Sequence, residues 1–296
     1  MGALMFPEEF DYFRPESVDE AVVLMKKFGD NARVLAGGMS LIPLLKSRVI
    51  SVPNIVDMSR VPELSKIEEK QGEIRIGSMV TDYEIERSKI VHDRIPLIKE
   101  VSGWIGDPQV RNRGTMGGSL CHADPSGDWG ACFLALRGRV TVIGEKGERT
   151  IESDDFFEDS YTTAMKPGEI MTEIIFSIPE KNSGYSYKKM ERKAGDFATV
   201  GVAVQLSFSE NGECIYAGIG MTAVGPTPMR SQKAEEFLMG KRVDGNTINE
   251  AAKIAVDETE PMDDPLRGSA EFKRYICEVL VRRGLNEAVE RSKGVE

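Results

Sequence analysis

The chain has 296 residues, 41% of them hydrophobic, with 48 acidic against 38 basic side chains and a formal charge of −10. That length can bury two or three packed cores, and that apolar fraction excludes a wholly disordered chain. The acidic balance disfavours general nucleic-acid binding, which rests on Lys and Arg neutralising phosphates, and no apolar run approaches the roughly 20 residues that span a bilayer.

Met1 to Glu8 mixes acidic residues with a short apolar stretch and does not read as a signal peptide, so the expected compartment is the cytoplasm. Ser17 and Glu20 have capping-box spacing and open a helix whose apolar face is Ala21, Val22, Leu24, Met25 and Phe28; Gly29 can stop it. A short strand, Ala32 to Leu35, runs into Ala36-Gly37-Gly38-Met39-Ser40. A second helix covers Leu41 to Ser47, with Pro43 tolerable near its start, and a strand follows over Asn54 to Met58.

Glu73 to Ile76, Arg139 to Ile143 and Ile170 to Ile178 read as strands, and Thr81 with Glu84 starts a short helix. Between these lies a glycine-rich stretch, Gly103 to Gly130, too patterned for a flexible linker. Lys181 to Gly184 is a polar break, which places the domains at 1–179 and 184–288. Beyond it come three strands, Tyr185 to Met190, Thr199 to Ser207 and Glu213 to Ala223. Three helices follow: Ser231 to Met239, Thr247 to Glu258 and Gly268 to Ala288. In the last, Phe272, Tyr275, Ile276, Val279 and Leu280 fall at helical spacing as its apolar face. Strands followed by helices indicate an α+β domain.

Two glycine–hydroxyl motifs carry the functional signal. In Ala36-Gly37-Gly38-Met39-Ser40-Leu41, adjacent glycines allow positive φ and a close backbone approach to a ligand, and Ser40 sits where a helix begins. In Gly114-Thr115-Met116-Gly117-Gly118-Ser119-Leu120 the combination recurs, followed by Asp124, Pro125 and Asp128. Two such loops can close on one extended anion, and a pyrophosphate fits; equally, both can be unrelated tight turns. No G-x-x-x-x-G-K-[ST] occurs, which excludes a P-loop, and no G-x-G-x-x-G lies at the first strand–helix turn, which disfavours a Rossmann site. The four cysteines, Cys121, Cys132, Cys214 and Cys277, include no C-x-x-C pair, so a cysteine-held zinc or iron–sulfur site within the chain is not expected. The two histidines, His92 and His122, offer little for nucleophilic catalysis.

These motifs resemble the FAD-binding subunits of the carbon monoxide dehydrogenase and xanthine dehydrogenase family of molybdenum hydroxylases. The family's A-G-G-x-S-L loop is matched by Ala36 to Leu41. Its R-x-x-G-T-x-G-G-N segment is matched by Arg111, Gly114, Thr115, Gly117 and Gly118, with Ser119 in the Asn place. The D-P-x-x-D segment falls on Asp124, Pro125 and Asp128, and T-A-x-x-P-G-E-[IL] on Thr163-Ala164 and Pro167 to Ile170. The K-x-x-R-[KR]-x-G-D-[YF]-A segment falls on Lys189, Arg192, Lys193, Gly195, Asp196 and Ala198, with Phe197 where Tyr is frequent.

The resemblance implies an α+β chain: a PCMH-type FAD-binding fold of two α/β subdomains, then a C-terminal domain with a small antiparallel sheet and helices. It implies noncovalent FAD, with Ala36, Gly37, Gly38, Met39, Ser40 and Leu41 and with Thr115, Met116, Gly117, Gly118 and Ser119 on the pyrophosphate. Asp128 would contact the flavin side of the cofactor, Met171 the isoalloxazine through its backbone, Lys189 or Lys193 would lie near the ring, and Phe197 would cover it. It further implies electron transfer rather than substrate oxidation. A large molybdenum-cofactor subunit and a small iron–sulfur subunit would be the partners, two copies of each chain forming a heterohexamer. A stand-alone FAD oxidoreductase, which would need an acid or base near N5 that the sequence does not name, and a non-redox nucleotide-binding module are the alternatives. Bound-cofactor colour separates the module from both enzymes, and co-purifying subunits separate the two enzymes.

Overall fold

The computed structural model describes residues 6–294. The reading of the N-terminus as lacking a signal sequence falls largely on residues 1–5, which lie outside the described ones. The first strand is β1 (Asp11–Phe13), followed by α1 (Val18–Phe28). Ser17 caps α1 by accepting from the Glu20 amide, but the Glu20 carboxylate returns to the amide of Glu16 at 2.8 Å, one residue before the expected partner. Then come β2 (Ala32–Leu35), α2 (Leu41–Lys46) and β3 (Asn54–Asp57). The strands form a parallel sheet in the order β1-β3-β2. Parallel neighbours need crossovers, and the helix-bearing segments between these strands supply them. Val18, Ala21 and Met25 of α1 pack with Ala32 and Val56 to make this small core.

The second unit begins with β4 (Ile67–Lys70) and β5 (Glu73–Gly77). Six helices follow: α3 (Asp82–Arg87), α4 (Lys89–Arg94), α5 (Pro96–Trp104), α6 (Pro108–Arg111), α7 (Met116–His122) and α8 (Asp128–Ala135). Strands β6 (Arg139–Gly144) and β7 (Gly147–Glu152), the hairpin β8 (Phe157–Asp159) with β9 (Thr162–Thr163), and β10 (Ile170–Ser177) complete it. The antiparallel sheet runs β4-β5-β10-β6-β7. Thr81 and Glu84 form the full reciprocal capping box, with Glu84 N to Thr81 Oγ1 at 3.2 Å and Thr81 N to Glu84 Oε2 at 2.8 Å. The glycine-rich stretch is itself helical, running from the end of α5 into α8. Helices this short show too few turns for a period, and every residue of α8 is buried, so it has no polar face to reveal it.

The C-terminal domain holds β11 (Ser183–Glu191), β12 (Ala198–Phe208), β13 (Cys214–Thr222) and β14 (Met229–Arg230), antiparallel in that order. Helices α9 (Gln232–Leu238), α10 (Gly245–Asp257) and α11 (Ala270–Ser292) follow. β12 is buried along nearly its whole length because both faces are covered, by α11 on one side and α8 on the other. Close approach requires glycine: a Cβ on Gly220 would lie 1.9 Å from the Ala131 carbonyl oxygen of α8, and one on Gly184 would lie 1.7 Å from that of Ala288 in α11. The apolar face expected for α11 is corrected here. Phe272 and Tyr275 are exposed, and the buried stripe is Lys273, Cys277, Leu280, Val281, Gly284, Leu285 and Ala288. Lys273 joins it by extending its ammonium to the Met262 carbonyl oxygen at 2.9 Å, while Phe272 lies over Gly268. Among the described residues no helix is long and apolar enough to cross a membrane.

Candidate functional site: two glycine loops and a buried ion cluster

The first motif is the turn from β2 into α2. Gly38 holds φ +80°, the left-handed region that favours glycine, and its carbonyl accepts from the Ile42 amide at 3.0 Å to start the helix. Ser40 stands at the cap position, yet its hydroxyl makes no capping bond, which leaves it open to a ligand oxygen. Met39 is exposed beside it.

The second motif is the start of α7. Thr115 is buried and spends its hydroxyl on the Gly118 amide at 3.0 Å. The Met116 side chain is in the main core, so only its backbone faces the loop surface. Gly117 sits against Ser78, whose amide donates to the Thr172 carbonyl at 3.0 Å; the loop is thereby tied to the β10 bulge beside Met171. Ser119 donates its amide to Thr115 O at 3.0 Å, and its hydroxyl lies on the Gly127 side.

The two motifs meet. A Cβ on Gly37 would be 1.9 Å from the Arg113 carbonyl oxygen and 2.9 Å from the Gly114 Cα, while one on Gly118 would be 3.3 Å from the Ala36 Cβ. The missing side chains of Gly37 and Gly118 therefore let two backbone segments, distant in sequence, form one continuous wall. The two motifs, which spacing alone leaves open as separate turns, are neighbours in space. Backbone amides of two adjoining loops, with the uncapped Ser40 hydroxyl beside them, could hold phosphate oxygens.

Behind the second loop lies Asp82, at 3% exposure, which sequence reasoning missed because it looks like a first-turn surface acid. Its amide donates to Gly114 O at 2.9 Å, and its Oδ1 accepts from the Trp129 indole at 2.9 Å. Its Oδ2 is 2.5 Å from where a Gly114 Cβ would stand. Burial pushes this carboxyl up to about 7, against the Trp129 bond and the charge of Arg111.

Asp128 and Lys189 are found on each other. Lys189 Nζ lies 3.0 Å from Asp128 Oδ2, 3.3 Å from Glu191 Oε2 and 3.2 Å from the Trp104 carbonyl oxygen. The Tyr187 hydroxyl donates to Asp128 Oδ1 in a short bond. Burial raises the Asp128 carboxyl, opposed first by the Lys189 ammonium, and raises the Tyr187 phenol, with Asp128 adding to it. Lys189 is thus neither a solvated strand-edge lysine nor an isolated cation: it is a buried charge joining α8 to β11. Tyr187 was legible only as an inward strand position.

Met171 is buried on β10, paired with Val142, and Lys193 is exposed. Phe197 lies on the turn after β11, with nearly half its surface exposed. Its amide donates to Asp196 Oδ1 at 2.9 Å, Asp196 pairs with Arg192 at 3.2 Å, and Gly195, at φ +81°, packs on the Gly106 backbone.

Comparison with known proteins agrees with this geometry. Residues 8–180 match the model of the FAD binding domain in molybdopterin dehydrogenase, and residues 185–288 that of the CO dehydrogenase flavoprotein C-terminal domain. The chain is 37% identical to the carbon monoxide dehydrogenase medium chain of Afipia carboxidovorans over 98% of this chain and 100% of that one. It is 34% identical to the glyceraldehyde dehydrogenase medium chain of Sulfolobus acidocaldarius, covering 96% and 99%. The crystal structure of the cyanide-inactivated Cu,Mo-CO dehydrogenase superposes with a TM-score of 0.94 at 37% identity, covering 97% of this chain and 100% of that one. With its two glycine loops forming a single wall and both domains matched in order, the chain belongs to the FAD-binding medium subunits of the carbon monoxide dehydrogenase and xanthine dehydrogenase family of molybdenum hydroxylases.

Proposed function

We propose that this chain is the electron-transfer subunit of its complex. It takes electrons from iron–sulfur clusters on a small partner subunit and delivers them to an external acceptor, while a large molybdenum-cofactor subunit selects and oxidises the substrate. In this reading the assembly is cytoplasmic and holds two copies of each chain. The observation that carries it is the wall shared by Gly37 and the Arg113–Gly114 backbone, which brings the two glycine loops together so that both can serve one extended anionic cofactor. Ala36 to Leu41 and Thr115 to Ser119 hold the pyrophosphate. The bridged pair of Asp128 and Lys189 lies on the flavin side, Met171 presents backbone to the ring, and Phe197 covers it without a hydroxyl. Bound FAD supplies the redox chemistry; the residues supply position and a fixed field. Medium chains of similar sequence are named for carbon monoxide and for glyceraldehyde, which supports placing substrate choice outside this chain.

Anaerobic flavin bleaching tests the proposal. With FAD bound, the chain alone should show no rapid reduction by an aldehyde, a purine or carbon monoxide. Reduction by the true substrate should require all three subunits. Rapid bleaching of the isolated chain by any of these substrates would favour a stand-alone oxidoreductase instead.

A further inference from the structure

We propose that Asp82 is a proton-linked positioning residue for the second glycine loop, and that the chain binds FAD more tightly when this carboxyl is protonated. The inference rests on the reading that Thr115 to Ser119 face the pyrophosphate. Asp82 is bonded to the loop through its own amide on Gly114 O at 2.9 Å, and its Oδ2 lies 2.5 Å from where a Gly114 Cβ would stand, in the space that glycine leaves open. The carboxyl therefore backs directly onto the loop.

Among the described residues no cation forms an ion pair with it. On α6, Arg111 is the nearest positive charge, but it is held by Glu86 at 3.0 Å and the Ile105 carbonyl at 3.1 Å. On α8, Asp128 adds a second negative charge, itself tied to Lys189 and Tyr187, and the Trp129 indole donates to Asp82 Oδ1. On α5, Glu100 is taken by Arg291 and Lys99 is half-exposed. On α4, Lys89, His92 and Asp93 pair among themselves at the surface and Arg94 pairs with Glu69. On α3 itself, Glu84 closes the capping box.

Burial already places the carboxyl near 7. A pyrophosphate across the loop adds negative charge and raises it further, so binding takes up a proton. By linkage, affinity is greatest when Asp82 is neutral and falls as pH rises through its free-state value.

The test is FAD titrated into the full-length, deflavinated chain between pH 6 and 9, read by flavin fluorescence, with proton uptake read by calorimetry in two buffers. A one-unit rise on binding predicts an affinity about tenfold weaker at pH 9 than at pH 6, with net proton uptake between. Asp82→Asn should bind at both pH values about as tightly as wild type at pH 6. Trp129→Phe keeps the carboxyl but removes the bond that favours its ionised form, so its pH midpoint should move upward; this arm stands even if Asp82→Asn folds poorly. A pH-independent wild-type affinity overturns the inference, as does an Asp82→Asn chain that keeps the wild-type pH dependence. A chain that binds FAD at no pH overturns the site reading, and this inference with it.

Discussion

Gly37→Ala should lower FAD affinity at least about a hundredfold, near 2.8 kcal/mol on the scale of 1.4 kcal/mol per tenfold. The added methyl would stand 1.9 Å from the Arg113 carbonyl oxygen, a backbone atom that cannot rotate away. Either the turn from β2 to α2 or the segment leading into α7 must withdraw, and the wall between them opens. The fold should survive, because Gly37 lies in a loop and the buried clusters of each unit are formed by other residues. Gly103→Ala is the matched control: it sits in α5 with nothing within 4 Å of the new Cβ. Equilibrium titration with FAD and far-ultraviolet circular dichroism check both variants. Wild-type affinity in Gly37→Ala would show that the two loops do not act on one ligand.

Lys189→Met should destabilise the folded chain by about 3–5 kcal/mol, the usual cost of removing one partner from a buried ion pair. The Lys189 side chain is fully buried, and its loss leaves Asp128 and Glu191 facing each other without a cation. The sign of the pH dependence follows. Without Lys189 the Asp128 carboxyl, already raised by burial, rises further above its unfolded value of about 4. The folded variant then binds more protons than the unfolded one, so its stability falls as pH rises from the unfolded value through the folded one. The deficit against wild type should therefore shrink at pH 5 and be largest above neutrality. Adding Asp128→Asn should recover more than half of it. Urea unfolding midpoints at several pH values measure all three, and a loss below about 1 kcal/mol would mean the cluster behaves as a surface pair.

Much of the fold was legible in the sequence for one reason: strands and long helices repeat a local pattern. The strands read at Ala32 to Leu35 and Ile170 to Ile178, and the three after the polar break, lie within two residues of β2, β10, β11, β12 and β13. The α11 face was misread because the apolar spacing of Phe272 and Tyr275 competes with a second stripe containing Gly284 and Ala288, and only the sheet decides which is covered. Small residues there let the helix approach β11 closely, as Gly184 against Ala288 shows.

The candidate site divides in the same way. Glycine–hydroxyl spacing marked both loops as able to take an anion, but nothing local said that Gly37 lies on Arg113. Asp82, Trp129 and Tyr187 were invisible because a buried polar partner is defined across elements: Trp129 reads as core, Tyr187 as an inward strand position, and Asp82 as a helix-start acid. Lys189 was singled out through the family motif, while its burial against Asp128 comes from the sheet of β11, β12 and β13 packing on α5 and α8.

The most direct test of the account is the flavin content of the full-length chain, co-expressed with its partner subunits or reconstituted with FAD. The account predicts stoichiometric FAD, visible as flavin absorption and released intact by acid or heat because no covalent bond holds it. A well-folded chain that remains colourless and takes up no FAD, even with its partners, would contradict it.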